Sequence, residues 1–544
     1  SHNTNPVRFL TASTDGTLCY GYDGEIYTVR EGAQPKKLNI KITADNEGKN
    51  LIRQIQYYGA SNIKLSPNGK EVGFVLHGDV YVTNLEYRTT KQITDTPEQE
   101  RNIDFAPDGR TIVYDSERNG LWQIYATTIK DKDEKQFAYA TALEEERLTQ
   151  SDSTSLCPQY SPDGKEIAFW ENRSTLRVLN VKSKKVRTAM DGKYLFSYSD
   201  GDIDFAWSPD SKWLLSSYMG TGGWNCPDIA LVDASGNGKI HNLTNSGYSD
   251  VNARWVLGGK AMLFSSDRAG YRSHGSWGAE YDAYIMFFDL DTMEKFRMNK
   301  EERQLAKDNM TKKEKKEEEK KEKEEKKNAD TPKPADVDEL KFDLDNCRDR
   351  VIRLTVNSSN LGDAILDKDG ENLYYKAAFE GGYDLWRHNL VDNRTELISK
   401  GIGGGYMLFD KDYKNLYFTS GGAIKKFDTA SRATKNIDFE ATFNYKPYGE
   451  RAYMFDHVWR QIKDKFYVDN LHNVDWDAYR KTYERFLPYI NNNFDFQEML
   501  SEMLGELNAS HTGARYSGTW ASLQTANLGL FYDCLLYTSD AADE

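Results

Sequence analysis

Cysteine is scarce and scattered. Cys19, Cys157, Cys226, Cys347 and Cys534 form no CxxC pair, which argues against a metal knuckle, and their odd number fits free thiols without deciding a compartment. Apolar residues are also few. At 38% of the chain they fall below a typical globular share, and no run is long enough to cross a bilayer. A basic surplus is missing too: the net charge is −14 and the pI about 5.3. This argues against nucleic acid as a partner, because binding phosphate requires a basic surface. The sequence contains no GxSxG elbow, no GxxxxGK[ST] loop and no HExxH helix, and no cofactor or metal is expected. No signal peptide is readable. Since the chain opens Ser1-His2-Asn3 rather than with Met and reads as mid-domain there, that decides nothing.

The 544 residues exceed one ordinary domain. Aromatics reach 13%, with 34 Tyr, which suits many short, half-exposed strands. One unit recurs: SPNGKEVGF (66–74), APDGRTIVY (106–114), SPDGKEIAF (161–169) and SPDSKWLLS (208–216). Weaker copies are VLGGKAMLF (256–264), DKDGENLYY (367–375) and DKDYKNLYF (410–418). Pro sets φ at the turn, Asp or Asn bonds its own backbone, and Gly supplies positive φ. The apolar triplet that follows suits a buried strand. Seven copies about 40 to 55 residues apart, once a charged insertion is set aside, predict propeller blades. The expected fold is mainly β: a seven-bladed β-propeller over 50–445, followed by a small α-helical segment.

An eighth copy, GTLCYGYDGEIYTVREG (16–32), stands apart behind the polar stretch 44–50. Residues 1–45 read as the last blade of an upstream propeller, with one eight-bladed ring as the alternative. Lys300 to Lys327 is almost entirely Lys and Glu, then Pro332-Lys333-Pro334. Without an apolar stripe, residues 300–335 are expected to be a solvated, mobile insertion between blades. Trp224 and His274, in Gly-rich loops, could line a propeller mouth but fit packing or solvent exposure better. Cys534 to Glu544 breaks the preceding pattern and resembles one reading frame of a transposon end used in sequencing libraries. Residues 534–544 are therefore set aside as an artefact.

Past residue 446 the period changes from two to 3.6. Met454, Val458, Ile462 and Phe466 recur every four residues; Asp475 can cap a second helix, and Asp495 a third running to His511. Ser510-His511 would sit at that helix exit. A histidine mounted there can serve as a general base, because imidazole titrates near neutral pH.

FDHVWRQIKDKFYVDNLHNVDWDAYRKTYERFLPYI (455–490) followed by MLGELNASHTGARY (503–516) closely resembles the first core segment of the tricorn proteases, serine peptidases of the S41 family. The resemblance spans about 447–533, and the propeller repeats agree with it. It implies a helical core segment over 447–525 and, at LGLFYD, the start of a PDZ-like domain over 526–533. It also implies a Ser-His-Ser-Glu tetrad in which His511 is the general base and Ser510 orients it. The nucleophilic serine and the Glu are then expected beyond this chain, and the chain alone is expected to be inactive. Peptides are the implied substrates, the propeller their channel or filter, and a homo-hexamer the implied assembly. For the compartment, the resemblance implies cytoplasm, with periplasm as the alternative. The alternative from another class is a non-catalytic TolB-like propeller that binds peptides or cell-envelope partners; it leaves the segment 450–511 without a role.

Overall fold

The computed structural model describes residues 2, 6–41, 51–220, 223, 225–272, 278–309 and 339–517. The polar stretch 44–50, Trp224, His274, insertion residues 310–335, the expected strand at 526–533 and the tail 534–544 lie outside them. The chain divides into two compact units, Asn50–Lys446 and Ser1–Lys49 with Pro447–Glu544.

The larger unit is propeller-like. Seven four-stranded antiparallel meanders follow one another, spanning residues 61–92, 100–147, 155–190, 205–242, 250–353, 360–399 and 407–437. The repeated motif supplies the turn from first to second strand in each. Ser66 Oγ lies 2.7 Å from Asn68 Oδ1, Ser161 Oγ 2.7 Å from Asp163 Oδ1, and Ser208 Oγ 2.6 Å from Asp210 Oδ1. Gly69, Gly109 and Gly164 take φ of 66°, 70° and 72° at the turn; Ser211 and Tyr413 adopt the same left-handed region without being glycine. The apolar triplets that follow are buried on the second strands, for example Ile112, Val113 and Tyr114. Leading strands touch between the first and second, second and third, fourth and fifth, and sixth and seventh sheets, and side chains of neighbouring sheets interleave into shared cores.

The two ends of this unit meet. Strand Ile52–Gln56 pairs antiparallel with Ala441–Tyr445, and the amides of Gly59 and Ala60 both donate to Gly422 O at 2.9 Å. Phe74 and Tyr81 of the first sheet, Tyr417 and Ile424 of the last, and Phe439 and Phe443 form one core. The sheet of residues 8–37 belongs to the other unit.

The charged insertion enters inside a sheet rather than between sheets. Helices α1 (Leu290–Arg297) and α2 (Lys300–Asn309) follow the third strand of the fifth sheet, Asp282–Phe287, and its fourth strand is Val351–Arg353. The turn motif marks only the first hairpin of each sheet. A three-residue edge strand without a motif carries no periodic signal that would place it.

Buried carboxyls make this unit sensitive to pH. Burial pushes Glu71 up to about 7, although the amides of Phe137 and Ala138 donate to it. Burial and the neighbouring Glu100 push Asp79 up to about 7, and burial raises Asp115 to about 6. A carboxyl whose folded pKa is raised holds its proton in the folded state where the unfolded chain has released it. For Glu71, whose ordinary value is 4.5, that stabilisation is complete below about pH 4.5 and lost as pH rises through about 7. Urea unfolding at pH 5 and pH 7.5 is expected to show lower stability at the higher pH, by about 2 kcal/mol for such a group. Glu71→Gln is expected to flatten the difference; an unchanged slope in that variant counts against the assignment.

The smaller unit contains α3 (Pro447–Lys465), α4 (Trp476–Glu484) and α5 (Asn493–Gly505), with a four-stranded sheet from Arg8–Ala12, Leu18–Tyr22, Glu25–Val29 and Lys36–Lys37. Its core is the apolar face read from the sequence: Phe455, Trp476, Tyr483, Phe496, Met499, Met503 and Leu507 are buried together. Trp459 and Trp476 exchange indole-to-carbonyl bonds at 3.3 and 3.0 Å, locking α3 to α4. Asp475 caps α4, accepting from the Ala478 amide at 3.0 Å.

Candidate active-site segment

Helix α5 begins three residues earlier than the Asp495 cap predicts. Asn492 is the N-cap, accepting from the amides of Phe494 and Asp495 at 3.0 and 2.9 Å. Asp495 lies in the first turn, where its charge suits the positive end of the helix. The helix also ends at Gly505, before Ser510 and His511. Asn508 adopts φ 48°, a left-handed residue that turns the chain away from the helix axis.

Ser510 and His511 therefore stand on a loop rather than at a helix end, and the loop is held at both sides. On one side Leu507 is fully buried, and its carbonyl bonds to His472 Nδ1 at 3.0 Å. On the other, Ser501 Oγ of α5 accepts from the Ala514 amide at 3.1 Å and donates to the Ala514 carbonyl at 3.1 Å. Gln497 Nε2 donates to the same carbonyl at 3.0 Å. Thr512 Oγ1 closes the tip by donating to Ala509 O at 3.0 Å. Ser510 and His511 are exposed between these anchors, and neither side chain bonds to another described residue. His511 has φ 62°. A non-glycine residue held in the left-handed region costs free energy, and such residues concentrate at functional sites.

Sequence reasoning missed the supports. Ser501 and Gln497 lie on the polar side of α5, where their spacing looks like ordinary solvated surface. Glu506, in the GELNASH motif, accepts from Arg8 Nη2 at 2.7 Å and from Tyr483 OH at 2.9 Å. Burial and Glu506 hold the Tyr483 hydroxyl well above its ordinary range. Nothing local signals Arg8, which lies 498 residues away.

The larger unit brings a second polar group together. Arg254 pairs with Asp363 at 2.8 Å and donates to Met407 O at 3.3 Å. Asp363 accepts from the Met407 amide at 2.6 Å, and Tyr406 OH reaches Asp204 at 3.4 Å. These bonds tie the fourth, fifth, sixth and seventh sheets where their leading strands approach. Burial pushes Asp204 and Asp363 upward, and Arg254 opposes the shift in both. Among the described residues no His, Cys, Asp and Glu cluster could hold a metal ion, and no helix is long and apolar enough to cross a membrane.

Residues 447–505 match the family model of the tricorn protease C1 domain. The match stops short of Ser510 and His511. The tricorn protease homolog 1 of Streptomyces coelicolor is 22% identical over 96% of this chain and 49% of its own length. The Tol-Pal system protein TolB of Francisella tularensis is 24% identical over 46% of this chain and 54% of its own. The crystal structure of the tricorn protease superposes with a TM-score of 0.68 at 13% identity, covering 94% of this chain and 47% of that one. The chain thus spans about half the length of the tricorn relative and of the tricorn structure it matches.

Proposed function

Because the chain is a member of the tricorn-like family, we propose that it forms the propeller and first core segment of a serine-type peptidase acting on short or unfolded peptides. The observation that carries this reading is the 447–505 match on a helical core that continues directly into the anchored Ser510-His511 loop. In this reading His511, as neutral imidazole, takes the proton of a serine hydroxyl as that oxygen attacks a peptide carbonyl. It then returns the proton to the leaving amine. In this reading Ser510 orients the ring once the nucleophile and the Glu are in place; its hydroxyl bonds to no described residue in the structure. Both side chains are exposed, as a base must be to meet a nucleophile and a Glu supplied by another segment. The propeller would serve as a channel or filter for the peptide.

The test is hydrolysis of fluorogenic peptides by the 544-residue chain and by a longer protein in which it is joined to a segment supplying the serine and the Glu. Turnover is expected from the longer protein and none above buffer from the 544 residues. Robust turnover by the 544 residues overturns the placement of the nucleophile outside them. Peptide binding without turnover by either favours a non-catalytic, TolB-like propeller module.

A further inference from the structure

The smaller unit holds a cleft of about 430 Å³ between its sheet and helices α4 and α5, a size typical of pockets that take a ligand or peptide side chains. Its apolar lining includes Phe9, Ile26, Phe486, Ile490 and Met499. Phe9 is 77% exposed, a large ring left facing solvent. The hairpin turn on the sheet side is fitted to the helices: Gly24 has φ +71°, and the Phe486 ring occupies the space a Cβ there would need. The wall is thus preformed, and a side chain at Gly24 would displace it.

Beside this apolar surface runs a stripe of carboxylates. Asp495, Glu498 and Glu502 of α5, and Glu506 at its C-cap, all line the cleft at spacings of three and four. Glu506 is neutralised by Arg8 at 2.7 Å. Asp495, Glu498 and Glu502 form no ion pair with any described residue, and all three are exposed. Such a stripe works against the helix. Like charges at i and i+4 repel, and Glu502, in the last turn, faces the negative end of the dipole. A cation laid along the stripe reverses both effects. Arg8 shows the geometry, with a guanidinium from an extended strand reaching the last carboxylate of the row.

We propose that this cleft binds an extended peptide segment carrying arginine or lysine beside an aromatic or aliphatic side chain. The cationic group pairs with Glu498 and Glu502, and its apolar neighbour covers Phe9 and Phe486. Charge complementarity selects this occupant: an acidic segment would add to the repulsion, and a purely apolar one would leave the carboxylates unpaired. The inference does not depend on any role for Ser510 or His511.

The test is fluorescence anisotropy of the complete 544-residue chain with a fluorescein-labelled octapeptide in which two arginines flank a phenylalanine. Saturable binding is expected, weakened at least about fivefold by Glu498→Gln with Glu502→Gln, and similarly by about 0.5 M salt, which shortens the reach of surface charges. Phe9→Ser is expected to weaken it as well. These positions are exposed, and circular dichroism checks that the variants keep their fold. Equal binding of a peptide with glutamate in place of arginine overturns the proposal. So does an unchanged affinity in the variants, or no binding to the parent chain. Self-association of the chain that the same substitutions abolish also overturns it, by identifying a second copy as the occupant.

Discussion

If the proposed function holds, replacing His511 in a chain that also carries the nucleophile is expected to lower kcat/KM for peptide hydrolysis by at least about 10³-fold, with melting temperature and circular dichroism unchanged. The size of the loss follows from the role: without a base the serine hydroxyl remains a poor nucleophile at neutral pH. The preserved fold follows from the structure, since the side chain is exposed and the loop is held by Leu507 and Ala514 instead. Backbone strain has to be separated from chemistry here, because His511 has φ 62°. Alanine tolerates that region poorly, whereas asparagine adopts it readily. His511→Asn keeps the loop's conformation and lacks a base, so both variants are expected to lose activity alike. If His511→Asn keeps near-normal rates while His511→Ala loses them, the residue shapes the loop and is not the base. Ser510→Ala is expected to cost roughly tenfold to a hundredfold, the size of a positioning effect rather than loss of the base, and to shift the acid limb of the kcat/KM profile.

The parts of this molecule that were legible in the sequence share one property: their signal is local. The Ser-Pro-Asp-Gly turns announced themselves because proline, an Asx side chain and a positive-φ residue act within four positions, and every motif copy occupies the first turn of a sheet. The apolar faces of α3 to α5 were readable because 3.6-residue spacing is set by the helix itself. Three features escaped for matching reasons. Asp495 reads as the third helix's cap in the sequence because Asp and Asn cap equally well, and only geometry selects Asn492. The sequence pattern runs past the helix end at Gly505 because Leu507 continues the apolar spacing after the helix has stopped; Leu507 is buried by tertiary packing, not by helical register. The edge strand Val351–Arg353 is defined by its pairing with residues 284–286, across the whole insertion, which no local pattern encodes. The same limit explains the candidate site. Ser510 and His511 are candidates through the resemblance of their motif, whereas Arg8, which pairs with Glu506 beside them in the chain, is visible only in space.

Phe443→Ala is expected to destabilise the larger unit by about 3–5 kcal/mol and to do so at both ends of its sequence together. Phe443 is 4% exposed, its ring stacks on His77 at 4.6 Å, and it shares a core with Phe74 of the first sheet and Ile424 of the last. Its strand pairs directly with residues 52–56, with Phe443 opposite Gln54. This contact closes a loop of nearly the whole unit, so its formation meets the largest chain-closure cost of any pairing there. Removing the ring removes apolar burial on both sides of the seam. The contrast is Trp170→Ala. Trp170 is equally buried, but it packs between adjacent sheets in the third and fourth positions and donates to Ile203 O at 3.2 Å. A similar loss of free energy is expected there, confined to its neighbours. Hydrogen exchange read peptide by peptide distinguishes the two. In Phe443→Ala, protection should fall together in residues 52–92 and 407–445, while residues 155–242 stay close to the parent. In Trp170→Ala the pattern should invert. If Phe443→Ala costs less than about 1 kcal/mol, or exposes residues 441–445 while 52–56 remain fully protected, the seam does not hold the two ends of this unit together.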